Sequence, residues 1–179
     1  MEVPHRAGVP AAAVVELYAS PAPLSNVCES GGCPLSSGTG DVMGLAEEIA
    51  AMRVGSGHSG RLLGEFRRAV LLVPLSEGED GGLMSGWQGG VRWIYAFTDE
   101  EALARFAVAR GAAAGAREWE YLAILGARLV DAVIPTVDGP TGVAVDVADE
   151  DASMLFPPVV GIVADAYAVD AQPDRAEAV

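Results

Sequence analysis

The chain has 179 residues, 51% of them hydrophobic, with 25 acidic side chains against 11 basic ones and a formal net charge of −14. That length fits one domain with ample apolar material for a core. So acidic a surface repels phosphate backbones and anionic headgroups, which excludes nucleic acid and membrane surfaces as expected partners, and no apolar run approaches the roughly 20 residues that cross a bilayer.

Every basic residue is Arg and Lys is absent, the usage that a GC-rich bacterial genome produces. The acidity favours solubility, and it would steer a basic protein partner towards the surface. The apolar stretch Ala11 to Ala19 is interrupted by Glu16 and flanked by Pro10 and Pro21, so it reads as neither signal peptide nor anchor. With only Cys28 and Cys33 as thiols, the expected compartment is the cytoplasm.

Along the chain, residues 1–40 hold Pro4, Pro10, Pro21, Pro23 and Pro34 and two Gly/Ser clusters, and predict an irregular arm. The domain is expected over residues 41–168. Asp41 can cap a helix whose apolar positions Leu45, Ile49 and Met52 recur at helical spacing, ended by Gly55-Ser56-Gly57. Ser59 opens a second helix with Leu62, Leu63 and Phe66 on one side. The run Val70 to Leu75 predicts a strand covered on both faces, with Pro74 at its end or edge. Ser76 to Gly90 reads as a loop.

Alternation over Val91 to Phe97 predicts a strand with Val91, Trp93, Tyr95 and Phe97 on one face, Trp93 among them as core. A helix follows, with Thr98 and Glu101 set as a capping box, Leu103, Phe106 and Ala107 as its buried stripe, and Glu101 spaced to pair with Arg105. Tyr121 to Leu125 predicts a buried strand. Gly126 leads into a helix carrying Leu129, Val130, Val133 and Ile134, closed by Pro135, and Val143 to Val147 is a further strand. Met154 to Phe156 is a short extended piece, Pro158 opens a last helix to about Tyr167, and residues 169–179 form a flexible tail. The fold class predicted is α+β, a two-layer domain with a mixed sheet of about four strands and helices packed on it.

Several of these segments, in this order, resemble the N-terminal domain of the SseB family, named for enhanced serine sensitivity. The carriers are Val70 to Leu75, the junction Phe97-Thr98-Asp99-Glu100-Glu101-Ala102-Leu103, Tyr121 to Gly126, and Gly142-Val143-Ala144-Val145-Asp146 followed by Met154-Leu155-Phe156-Pro157-Pro158. The similarity covers about Leu45 to Val163. It implies a small bacterial cytoplasmic domain without an established catalytic residue, linked in some members, by name, to secretion systems.

No motif gathers reactive groups. Cys28 and Cys33 are separated by four residues in an acidic Gly-containing loop, wider than a thioredoxin-like pair, and besides carboxylates a zinc site would have only His5 and His58 to add to them. His58 reads as a solvated loop residue, and Ser56 and Ser59 as turn formers and caps. The acidic clusters Glu77 to Gly82 and Asp146 to Asp151 lack the spacing of a calcium loop. Trp87 sits in a Gly-rich segment, and aromatic residues beside polar groups are typical interface anchors, so Trp87, Gln88 and Arg92 are the expected protein contacts. The function expected is a non-enzymatic protein-interaction domain, an accessory, adaptor or immunity-like factor, with no cofactor. The alternatives are a small-molecule, thiol-redox or metal-binding protein using Cys28 and Cys33, and an acidic secretion chaperone. The oligomeric state stays open.

Overall fold

Leu45, Ile49 and Met52 repeat at helical spacing, and the computed structural model, which describes residues 40–76, 82–111 and 119–171, places them on helix α1, Gly40–Arg53, with Leu45 and Ile49 fully buried. Gly55, at φ 76, turns the chain out of α1 into helix α2, Ser59–Arg68. Leu62 and Phe66 are the buried side of α2, and the Glu48 carboxylate accepts from the Arg61 Nε at 3.0 Å across the helix pair.

The strands are β1 (Val70–Pro74), β2 (Ser85–Gln88), β3 (Val91–Ala96), β4 (Tyr121–Leu125), β5 (Thr141–Val145) and β6 (Met154–Phe156). Helix α3 is Glu100–Ala109, and α4 begins at Gly126–Arg128 and continues as a π-helical turn, Leu129–Val133, and a 3-10 turn, Ile134–Thr136. β1 and β4 pair antiparallel as a two-stranded sheet. The larger sheet has the order β2-β3-β5-β6, with β3 and β5 parallel and the other pairs antiparallel. Leu72 and Phe97 join the two sheets by exchanging both backbone hydrogen bonds at 2.8 Å. The fold is thus α+β with a mixed four-stranded sheet.

One face of that sheet carries Ile94, Ala96, Val143, Val145 and Phe156 into the main core, against Leu45, Ile49, Leu62, Phe66, Leu129, Val130, Val133 and Ile134 of the helices. Phe66 and Phe156 stack there with centroids 3.9 Å apart. The opposite face carries Trp93 and Tyr95 of β3; among the described elements α3 packs on it, where Phe106 meets Tyr95, Phe97 and Trp119.

Five expectations are corrected. The segment between β1 and β3 contains strand β2, because Gly89 (φ 62) and Gly90 (φ 80) make the two-residue turn whose twist suits a hairpin. Trp93 is only half-buried, since Ile94 and Ala96 of β3, not its aromatics, face the deep core. β4 has an edge position and leaves Tyr121, Ala123 and Leu125 exposed. The cap of α3 is Asp99, whose carboxylate accepts from Ala102 N–H at 2.8 Å, while Thr98 is engaged elsewhere. No helix runs from Pro158 to Tyr167: Gly161, at φ 90, breaks the path, Val160 bridges Val163, and only Asp165–Tyr167 makes a 3-10 turn.

The spaced pair is present, Arg105 reaching Glu101 at 3.1 Å and also Asp149 at 3.3 Å. The arm with Cys28, Cys33 and His5, the cluster from Glu77 to Gly81 and the tail beyond 171 lie outside the described residues.

At Gly126 the backbone touches α2: a Cβ there would lie 1.9 Å from the Phe66 carbonyl oxygen. Gly126→Ala is expected to cost roughly 3 kcal/mol or more, because two backbone segments must separate. Gly64→Ala, mid-helix in α2 with only ordinary contact to Arg68, is expected to add about 0.5–1 kcal/mol. Urea midpoints of the two variants check both.

Candidate functional site

Among the described residues α3 spans one end of the outer sheet face, and a groove of about 290 Å³ lies beside it. Its lining comes from Gly86, Trp93, Tyr95, Ala144 and Leu155 on four adjacent strands and from Phe106 of α3, with Trp87 and Gln88 at the rim. The ladder register sets Tyr95 opposite Ala144 and Ala144 opposite Leu155, one row of side chains on one face. Gly86 opposes Trp93, and its missing side chain makes room for the Tyr95 hydroxyl, which would sit 2.1 Å from a Cβ. The surface is aromatic and shallow, and Leu155 is 52% exposed at its margin.

Helix α3 is held in place by a buried carboxylate. Asp146 follows β5 with φ 49, in the left-handed region that Asp tolerates better than most residues, and is 3% exposed. Its Oδ1 accepts from Thr98 N–H at 3.0 Å and its Oδ2 from the Thr98 hydroxyl at 2.8 Å. The bonds tie the end of β5 to the residue before the α3 cap. Burial pushes the Asp146 carboxyl above its usual range, the two Thr98 hydrogen bonds oppose that, Asp99 reinforces it and Arg105 weakens it. With both oxygens occupied by Thr98, Asp146 serves as a latch.

At the other end of the sheet stand the expected contact residues. Trp87 of β2 is 48% exposed and Gln88 is exposed, but Arg92, directly opposite Trp87 in the ladder, is only 6% exposed. The Arg92 guanidinium lies 5.1 Å from the centroid of the Trp87 ring, and its Nε is buried without a hydrogen-bond acceptor. The three residues come together, Trp87 and Gln88 as surface and Arg92 beneath them.

His58 is exposed at the α1–α2 turn, where its carbonyl, not its ring, receives the first α2 amides. Ser56 and Ser59 are exposed in the same turn, and the N-cap is His58 instead of Ser59. In the second acidic cluster Asp149 organises a turn by accepting from the amides of Asp151 and Ala152. The Asp146 latch escaped sequence reading. Its only signal is a carboxylate at the end of an apolar strand, and the partner 48 positions away is visible only once β3 and β5 lie side by side.

No protein-family model matches this chain, and no match is found among the curated proteins or the solved structures.

In the native state Asp146 keeps its proton to a higher pH than in the unfolded chain. Its contribution to stability is therefore full below the unfolded carboxylate value, about pH 4, and is lost as pH rises from there through the raised native value. Asp146→Asn keeps an oxygen for Thr98 N–H and tolerates the left-handed backbone, so the stability difference between variant and wild type is expected to shift in favour of the variant across that rise. Asp146→Ala, which strands both Thr98 donors, is expected to cost about 2 kcal/mol or more at any pH. Urea unfolding at a series of pH values checks both, and a pH-independent Asp146→Asn difference would contradict the first.

Proposed function

We propose that this chain is a non-enzymatic, cytoplasmic protein-interaction domain, an accessory, adaptor or immunity-like factor, and a relative of the SseB N-terminal domains. The observation that carries the reading is the open aromatic groove lined by Trp93, Tyr95, Phe106 and Leu155, with the half-exposed Trp87 on the strand at its rim. Large aromatic side chains beside a concave apolar surface are what a binding partner's anchors fill. The ionisable groups of the described site support contact over chemistry: the Asp146 oxygens are both taken by Thr98, and Arg92 is covered. Among the described residues no helix is long and apolar enough to cross a membrane.

The kinship proposal rests on sequence segments that coincide with elements of the fold. Phe97 to Leu103 is the passage from β3 into α3, Tyr121 to Gly126 is β4 and the start of α4, and Gly142 to Asp146 is β5 with its latch.

Site-specific photocrosslinking in native lysate tests the interaction. A crosslinker placed at position 87 is expected to capture one defined protein that the same crosslinker at the exposed Val54, on the far turn after α1, does not. Leu155→Glu, which puts a charge on the groove margin, is expected to reduce that capture at least roughly tenfold, a loss of about 1.4 kcal/mol. Equal capture at both positions, or none together with reproducible turnover of a small molecule, rejects the proposal.

A further inference from the structure

We infer that strand β4 is a dimerisation edge, pairing antiparallel with β4 of a second copy of this chain about a two-fold axis at Ala123. The ladder with β1 decides which backbone groups are turned outward. Leu75 N–H donates to the Glu120 carbonyl and Gly126 N–H to the Ala69 carbonyl, both at 2.9 Å. Between those two bonds the register makes Leu71 with Ile124, and Val73 with Leu122, the hydrogen-bonded pairs. Leu122 and Ile124 therefore direct their backbone groups to β1, while those of Ala123 and the N–H of Leu125 point to the outer edge. β1 shows the same parity from its other side, where Leu72 exchanges its bonds with Phe97. Among the described residues, β1 is the only strand paired with β4.

A row of outward N–H and C=O groups is satisfied by another extended strand, and the side chains indicate which. From Tyr121 to Leu125 the strand has no charged residue and no proline, the devices that keep such edges apart. Ala123 is exposed and small, so it leaves room at an axis where two identical residues face each other. Two positions to either side stand Tyr121 and Leu125, 38% and 41% exposed on the same face. The two-fold sets each against the other in the second copy, and Val70, opposite Leu125 and equally exposed, extends the apolar row. Ala123 exchanges both hydrogen bonds with its counterpart, and each Leu125 N–H donates to the Tyr121 carbonyl of the other copy. The Tyr121 hydroxyl already donates to Glu100 Oε1 at 2.6 Å, which fixes its ring against the start of α3 before a partner strand arrives.

Charge selects the orientation. Exposed Glu120 precedes the strand and exposed Arg128 follows it. Antiparallel pairing about Ala123 puts Glu120 opposite Gly126 of the other copy and close to that copy's Arg128, whereas parallel pairing would set Glu120 on Glu120. A two-fold of this kind runs perpendicular to the sheet, so both copies present α3 and the groove on the same side. The dimer is thereby bivalent towards a partner that carries two anchors.

Sedimentation velocity of the whole chain from micromolar to millimolar concentration is expected to show a monomer–dimer equilibrium in moderate salt, which screens the repulsion between two chains of net charge −14. Hydrogen exchange over the same range is expected to slow at the Ala123 and Leu125 amides as dimer forms, and to stay constant at Leu122 and Ile124, whose amides are already bonded to β1. Ala123→Pro removes the donor at the axis but no bond to β1, a position where a strand tolerates proline, and is expected to weaken the dimer at least roughly tenfold. Ala123→Lys keeps the donor and brings two like charges together at the axis, with a loss of the same order expected. Urea midpoints establish that each variant is folded. A chain that stays monomeric throughout, a dimer that both folded variants leave intact, or a dimer that leaves exchange at Ala123 and Leu125 unchanged overturns the inference. Protection of those two amides by another protein, in a chain that does not self-associate, also overturns it and assigns the edge to a different occupant. Crosslinking at position 87 is decided separately, because Ala123 does not line the groove.

Discussion

Strand β5 sets the terms for everything around it. Every residue from Thr141 to Val145 is buried, which requires a layer on each side of the sheet. On the inner side that layer is generous: α1, α2 and α4 supply Leu45, Ile49, Phe66 and the Leu129 to Ile134 run. On the outer side, among the described elements, the ten-residue helix α3 covers Phe97 and Tyr95 but not Trp93 or Leu155. Gly142 is the accommodation this imbalance demands, because a Cβ there would come within 2.7 Å of the Phe156 carbonyl and 2.9 Å of the Trp93 ring. Among the described residues, the groove is the part of that sheet face that α3 leaves unshielded.

Two charged side chains are buried in this sheet, and the parallel pairing of β3 with β5 sends them to opposite ends. Asp146 follows the last residue of β5, beside the start of α3, and both its oxygens are satisfied by Thr98. Arg92 lies near the start of β3, opposite Thr141 and Trp87, and its Nε is not satisfied. A buried carboxylate held by two hydrogen bonds to one residue fixes the geometry of the elements it joins. The same strand pair thus carries a satisfied polar contact where α3 is anchored and, at its other end, a buried Arg92 Nε without a hydrogen-bond partner beside the Trp87 ring.

The inner layer was the legible part of the sequence. Leu45, Ile49, Leu62 and Phe66 betray α1 and α2 by spacing alone, and the four apolar residues after Gly126 are all buried as read. Alternation in β3 was equally plain, but alternation does not say which face is deeper, and the larger aromatics suggested the wrong one. The start of α3 was misplaced by one residue because Thr98 and Asp99 are both good caps; the choice is made by Asp146, which takes the Thr98 hydroxyl for itself. Gly89-Gly90 was a hairpin signal between two short runs, obscured by the glycines around it. The last stretch shows how weak an apolar run is without period: Val159, Val160, Ile162 and Val163 look helical only until Gly161 turns the backbone. Of the site, Trp87 and Gln88 were readable as surface candidates, whereas the burial of Arg92 depends on Trp87 crossing over it from a strand that composition disguised as loop.

The parallel contact between β3 and β5 also governs how the molecule assembles. α1 and α2 meet across a short turn, and β2 and β3 across two glycines, so these pairs can form while little of the chain is organised. Arg92 to Ala96 must instead wait for Thr141 to Val145, with α3, β4 and α4 all lying between them in sequence. Loop closure over that span costs entropy before any ladder hydrogen bond rewards it. A nascent chain emerging from the ribosome consequently holds β3, with Trp93, Tyr95 and Phe97, without its central neighbour until β5 has been made, and the aromatic hairpin is the segment most in need of protection from premature association during that interval.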